Sequence, residues 1–124
     1  MSVIELEDLF EVLEELKERA RNGWVIVVEG EKDVASLRKL GVAGEILTFS
    51  GYSATADRVG KRKTIILTDY DERGREIERG LSKALLSYGN VADVEIKRKI
   101  FCKIKKEVTK VEELYGFVKK YIQS

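Results

Sequence analysis

"TIILTDYDERG", Thr64–Gly74, runs from a short β-branched apolar stretch straight into two aspartates spaced two apart, then a glycine. A continuous apolar run this short, bounded by turn-forming residues, is the mark of a strand buried on both faces, as in a parallel sheet. "WVIVVEGEKD", Trp24–Asp33, repeats the design: an apolar run, then Glu29, Gly30 and Asp33. In a parallel sheet every strand ends at the same edge, and ligands sit in the crevice beyond it. Asp69 and Asp71, two apart in extended chain, point to the same side there.

Working outward, helical patterns alternate with these strands. Ile4–Arg21 carries Leu6, Leu9, Phe10, Leu13 and Leu16 on one face, and Asn22-Gly23 stops it. Glu31–Leu40 is helical and ends at Gly41. "EILTF", Glu45–Phe49, is the next strand. "SGYSAT" follows, with Ser50 placed to cap a short helix that ends near Gly60. Glu72–Tyr88 is helical, with Ile77, Leu81, Ala84, Leu85 and Tyr88 inward. Asp71 reads as its N-cap. Trp24 reads as core.

Beyond Asp93 the period changes. Val94, Ile96, Ile100, Cys102 and Ile104 occupy even positions, and Glu95, Lys97, Lys99, Lys103 and Lys105 odd ones, which predicts a half-buried fourth strand or strand pair. Its odd face, with Phe101, could grip phosphates and stack a base. The simpler account, lysines guarding a sheet edge, is favoured. Thr109 is placed to cap a last helix, with Val111, Leu114, Val118 and Ile122 inward. The expected architecture is α/β in three layers, with about four largely parallel strands flanked by helices.

Composition narrows the chemistry. The 124 residues suit one domain, with 44% hydrophobic residues for a core and a net charge of +1. There is one cysteine, Cys102, and no histidine. Ser-His-Asp and Cys-His catalysis are thereby excluded, with most zinc and iron sites. What remains is carboxylate, amine and hydroxyl chemistry, or a hard cation held by oxygen, such as magnesium, manganese or calcium. No apolar run nears the ~20 residues of a membrane span. The acidic, periodic N-terminus is unlike a signal peptide, so a cytoplasmic protein is expected. The 36% charged content, without proline, hints at a thermophile.

A cap explains Asp71 alone; it does not explain Glu29, Asp69 and Asp71 together. Unpaired at one edge, such like charges would repel one another, and a divalent cation would remove that cost.

The order of an apolar strand, Glu-Gly-x-x-Asp, about forty residues, a second apolar strand and Asp-x-Asp-x-x-Gly resembles the Toprim domain. That module is shared by type IA and type II topoisomerases, DnaG-type primases, OLD-family nucleases and ribonucleases that mature ribosomal RNA. The loop "TFSGYSAT", with Gly51, is similar to the glycine-containing loop after the family's second strand. The resemblance covers residues 24–98, with the helices at 4–22 and 109–122 expected to pack on that core as one domain, 1–124. In build it is closest to small, free-standing Toprim proteins. The nucleophilic tyrosine domain of topoisomerases and the zinc module of primases have no counterpart in it.

The resemblance implies a Rossmann-like fold, a Mg2+ (or Mn2+) cofactor and phosphodiester chemistry on RNA or DNA, nuclease- or primase-like. It makes Glu29 a general acid or base and sometimes a metal ligand, and Asp69 and Asp71 the metal-holding pair. Gly30 and Gly74 become motif glycines, and Asp33 the acid that ends the first motif. By position, Lys32, Arg73, Arg75 and Arg79 are candidates for phosphate contacts, although a solvated charged face accounts for most of them, and Tyr52 and Ser53 could reach a substrate; Lys61–Lys63 are expected at the opposite strand end. Two alternatives stay open: a non-catalytic metal- and nucleic-acid-binding module acting with a partner protein, and a receiver-like phosphoacceptor domain, which would lack Glu-Gly-x-x-Asp.

Overall fold

The computed structural model of the protein describes residues 1–122. Its elements run α1 (Val3–Arg21), β1 (Val25–Val28), α2 (Glu31–Lys39), β2 (Ile46–Thr48), α3 (Tyr52–Val59), β3 (Thr64–Ile66), α4 (Glu72–Leu86), α5 (Glu95–Phe101), a 3-10 turn at Val111–Glu113, and α6 (Leu114–Ile122).

The three strands form one parallel sheet in the order β2-β1-β3. The strands that precede Glu29 and Asp69 are therefore neighbours, and Leu67 N–H still donates to the Val27 carbonyl just past the register. Alternate residues of β1 feed two cores. Ile26 and Val28 pack with Ile65 and Leu67 against Leu13, Leu16, Leu37, Ile100, Phe101 and Leu114, from α1, α2, α5 and α6. Val25 and Val27 pack with Ile66 against Ala56, Val59, Leu81 and Leu85, from α3 and α4. All four β1 side chains are buried, as a strand covered on both faces requires. Each such aliphatic side chain contributes about 1.5–3 kcal/mol by leaving water.

Among the described residues there are three strands, not four. The chain touches the sheet once more, at Asp93, which exchanges backbone hydrogen bonds with Thr64 and Ile66. It then turns into α5 instead of continuing as a strand. The physical reason lies in the spacing: Ile96, Ile100 and Ile104 fall at period two, but they are also four apart, one face of a helix. The structure buries Ile96, Lys97, Ile100 and Phe101 together, a helical set. The strip of Lys97, Lys99, Lys103, Lys105 and Phe101 therefore does not exist. Phe101 is fully buried, and Lys97 is buried too.

Smaller expectations also shift. Thr109 does not cap the last helix; Lys110 stands at the N-cap of the 3-10 turn, and its own side chain makes no capping bond. Ser50 does not cap α3 either; Gly51 takes that place, with φ 101, a left-handed conformation suited to glycine. Trp24 is only partly buried, with the Arg19 guanidinium 4.8 Å from its ring centre. No helix among the described residues is long and apolar enough to cross a membrane.

Candidate functional site

The C-terminal edge of the sheet carries the acids. Glu29 directly follows β1, and one of its oxygens, Oε2, accepts from the Asp69 backbone N–H at 2.8 Å. This bond spans forty residues of sequence and seats the Glu29 carboxylate against the Asp69 turn. Asp33, in the first turn of α2, reaches back so that Oδ2 accepts from Gly30 N–H at 3.0 Å. Asp71 is the N-cap of α4; its Oδ1 accepts from Gly74 N–H at 2.7 Å. Asp69 Oδ1 accepts from Val111 N–H at 2.9 Å, so an acid of the edge caps the 3-10 turn before α6. Next to it, Tyr70 N–H donates to the Thr109 carbonyl at 2.7 Å, tying the C-terminal segment to the same turn.

Each of the four carboxylates thus commits one oxygen to a backbone N–H. The other accepts no hydrogen bond among the described residues. Backbone bonds fix the orientation of each group while leaving an oxygen for a ligand.

The charges act on one another. Asp69 is pushed from an ordinary 3.8 up to about 6. Burial is the main cause; the Val111 N–H opposes it, and the Glu29, Asp33 and Asp71 carboxylates add to the rise in that order. Asp33 is raised as well, first by burial, then against the Gly30 hydrogen bond by the charges of Glu29 and Glu112. Glu29, Asp33, Asp69 and Asp71 therefore share one electrostatic neighbourhood.

A stability signature follows. Because the folded pKa of Asp69 lies above the unfolded one, its contribution is fully present below about pH 4 and is lost as pH rises through about 6. At ~1.4 kcal/mol per pKa unit, the loss is at most about 3 kcal/mol. Asp69→Asn keeps an acceptor for Val111 N–H and cannot ionise. Chemical denaturation of metal-free protein at pH 4, 5, 6 and 7 should show wild type falling relative to Asp69→Asn across that window. Parallel curves would place the raised pKa elsewhere.

Of the motif glycines, Gly74 is sterically required. A Cβ there would lie 1.8 Å from the Asp69 carbonyl oxygen, so α4 can sit on the turn only without one. Gly30 differs: its φ of -158 is ordinary extended chain, and nothing lies within 4 Å of a Cβ placed on it. Its bareness leaves open space beside Glu29. Gly51 follows β2 at the same sheet edge.

The basic candidates are looser. Arg73 Nε lies 3.8 Å from Glu29 Oε1, but its side chain is 80% exposed. Lys32, Arg75 and Arg79 are exposed and make no ion pair among the described residues. Tyr52 lies against Gly80, where a Cβ would come within 2.3 Å of its ring, and stacks edge-on with Phe49. That holds its ring in place while leaving it 42% exposed; Ser53 beside it is exposed. Lys61, Arg62 and Lys63 precede β3, at the opposite end of the sheet.

Sequence patterns missed the layer beneath the acids. Lys97, 3% exposed, places Nζ 2.6 Å from Glu78 Oε1 and donates to Thr68 Oγ1 at 3.1 Å. Thr68 Oγ1 in turn donates to the Gly74 carbonyl at 2.7 Å. A signal was present in principle: on a helix, Lys97 shares the face of Ile96, Ile100 and Phe101.

A parallel sheet with Glu-Gly-x-x-Asp after one strand and Asp-x-Asp-x-x-Gly after its neighbour defines a class, and a Toprim domain family model matches residues 24–104. The chain belongs to the Toprim family. Among its relatives are archaeal UPF0292 proteins. It is 60% identical over 111 residues to that of Archaeoglobus fulgidus, covering 90% of each chain. It is 36% identical over 119 residues to that of Methanosarcina barkeri, covering 93% of this chain and 83% of the other. A solved structure of an Aquifex aeolicus protein aligns with a TM-score of 0.71 at 33% identity, covering 85% of this chain and 96% of that one.

Proposed function

We propose that this chain performs magnesium-dependent phosphodiester chemistry on nucleic acid, most simply hydrolysis. In this proposal Glu29 is the general acid or base, and Asp69 and Asp71 hold the metal, with Glu29 as a further ligand. The observation that carries it is the Glu29 Oε2 bond to the Asp69 N–H, which locks the two motifs into one acidic edge.

The donor set fits magnesium. It is carboxylate oxygen throughout, and Asp69, raised to about 6 by burial and like charge, gains from a cation. No three acidic groups among the described residues converge as a ready-made cage. Magnesium does not need one: it keeps several waters and is usually held by one or two carboxylates with substrate phosphates. Bound here, it would supply Lewis-acid stabilisation of the phosphate charge.

The protein's own groups do the rest. Backbone N–H bonds hold one oxygen of each carboxylate, so the acids meet a ligand already oriented. Glu29 Oε1 is the oxygen available to exchange a proton, since Oε2 is engaged. The open space over Gly30 lets a substrate backbone approach it. Arg73, beside Glu29 Oε1, is the nearest cation to a phosphate bound there, with Lys32 and Arg75 outside it.

The decisive experiment is cleavage of labelled RNA and DNA oligonucleotides with Mg2+ or Mn2+, wild type against Asp69→Asn. Turnover by wild type alone supports the proposal. No turnover on either nucleic acid, with binding retained, would turn it to a non-catalytic module that works with a partner protein.

Metal binding has its own readout. An ion that binds the folded edge and not the unfolded chain raises Tm with concentration. Asp69→Asn with Asp71→Asn should abolish that rise. A double variant that still responds to Mg2+ like wild type would place the ion elsewhere.

A further inference from the structure

Lys97 is a charged group where charge is expensive. A buried lysine is tolerated only when paired, and a buried pair stabilises a fold no better than well-packed apolar residues of similar volume. Its partner, Glu78, turns a buried Oε1 toward it that accepts no hydrogen bond among the described residues, so the 2.6 Å contact is held by charge. Stability alone does not account for the pair. Its connections do.

A lysine ammonium has donors only. Its Nζ pairs by charge with Glu78 Oε1 at 2.6 Å and donates a hydrogen bond to Thr68 Oγ1, 3.1 Å away. Thr68 must accept from Lys97, which commits its single O–H to the Gly74 carbonyl at 2.7 Å. The Gly74 N–H is committed to Asp71 Oδ1 at 2.7 Å, and the Gly74 Cα abuts the Asp69 carbonyl. An ordered chain of contacts thus runs from the ion pair between α4 and α5 to the second aspartate: Glu78, Lys97, Thr68, Gly74, Asp71. It closes the turn that carries Asp69 and Asp71 at both ends.

We infer that Lys97 is a positioning residue: acting through Thr68 and Gly74, it sets the placement of the Asp69–Asp71 carboxylates for a metal ion. It touches neither metal nor substrate. The Glu78 carboxylate keeps its charge compensated, so that it orders the turn without neutralising the acids above it. The inference rests on the proposal that Asp69 and Asp71 hold a divalent cation.

The test uses the full chain and a Mn2+ titration followed by thermal shift. Two variants break the chain of contacts at different links without stranding a buried charge. Thr68→Val removes the hydroxyl and keeps the ion pair. Lys97→Met with Glu78→Leu removes both charges together. Outer contacts that orient metal ligands are typically worth ~10–100-fold in affinity. Both variants should need Mn2+ concentrations higher by about that factor for half the wild-type shift. A purely structural role would lower the metal-free Tm and leave the Mn2+ midpoint where it is in wild type; that result in both variants would overturn the inference. A wild type without any Mn2+ response, or an Asp69→Asn, Asp71→Asn protein that retains it, would remove the metal assignment and this inference with it.

Discussion

Gly74→Ala should be among the most damaging single-atom additions to this fold, lowering stability by ~3 kcal/mol or more, above the usual range for overpacking. The added carbon would lie 1.8 Å from the Asp69 carbonyl oxygen and 2.7 Å from its carbon. Both are backbone atoms, which cannot swing aside as a flexible side chain would. Either the first turn of α4 lifts off the 68–71 turn or the turn itself moves. Each route breaks bonds the site uses: the Asp71 cap on Gly74 N–H, worth ~1 kcal/mol, and the Thr68 bond to the Gly74 carbonyl. At this chain length the corresponding drop in Tm is roughly 10 °C. The metal-dependent rise in Tm should shrink as well, because the aspartates are displaced with the turn. Gly30→Ala is the control. Its φ of -158 accepts any side chain, and the new methyl meets nothing within 4 Å. Its Tm should stay within a few degrees of wild type. Thermal unfolding of both variants, with and without Mn2+, checks the contrast. A Gly74→Ala protein as stable as wild type would mean that α4 does not seat on Asp69 as described.

The contrast between the two glycines shows where sequence patterns stop. Both stand in family motifs, but only one is demanded by local packing. What was legible came from short-range physics. The apolar runs Trp24–Val28 and Thr64–Thr68 announced strands covered on both faces, and the carboxylates just past them announced a shared edge. The neighbouring parallel strands and the Glu29–Asp69 bond agree with that. What was hidden depends on contacts distant in sequence or on coincident periods. Ile96, Ile100 and Ile104 satisfy a strand and a helix equally well; only the docking of α5 on the core decides. Lys97 looks like any surface lysine until α5 turns it inward toward Glu78, nineteen residues earlier. By its position Thr109 suits a cap on the last helix, but the N–H of Val111 that opens the preceding 3-10 turn is capped by Asp69, forty-two residues away. No local pattern encodes that tie.

On the proposed acid–base role, Glu29→Gln is expected to cost ~10²–10⁴-fold in rate, the usual contribution of a general acid or base, with nucleic-acid binding little changed. The substitution suits the site because a glutamine carbonyl can still accept from the Asp69 N–H, which in the native protein bonds Glu29 Oε2 at 2.8 Å. The link between the motifs survives, and only the charge and the titration are lost. That loss has a second consequence, independent of turnover. The Glu29 carboxylate contributes the largest of the like charges that raise Asp69. Glu29→Gln should therefore bring Asp69 down from about 6 toward its ordinary value, though not all the way, because burial is the main cause and remains. A carboxyl-observed NMR titration of metal-free protein reads this directly. The two measurements separate the possibilities. Lost turnover together with a lowered Asp69 pKa supports Glu29 as the proton-transferring group at an intact edge. A lowered pKa in a protein whose wild type turns over no RNA or DNA leaves the electrostatic site and favours the binding module. An unmoved Asp69 pKa would mean that the two carboxylates do not face one another, and the acid–base assignment of Glu29 would fall with it.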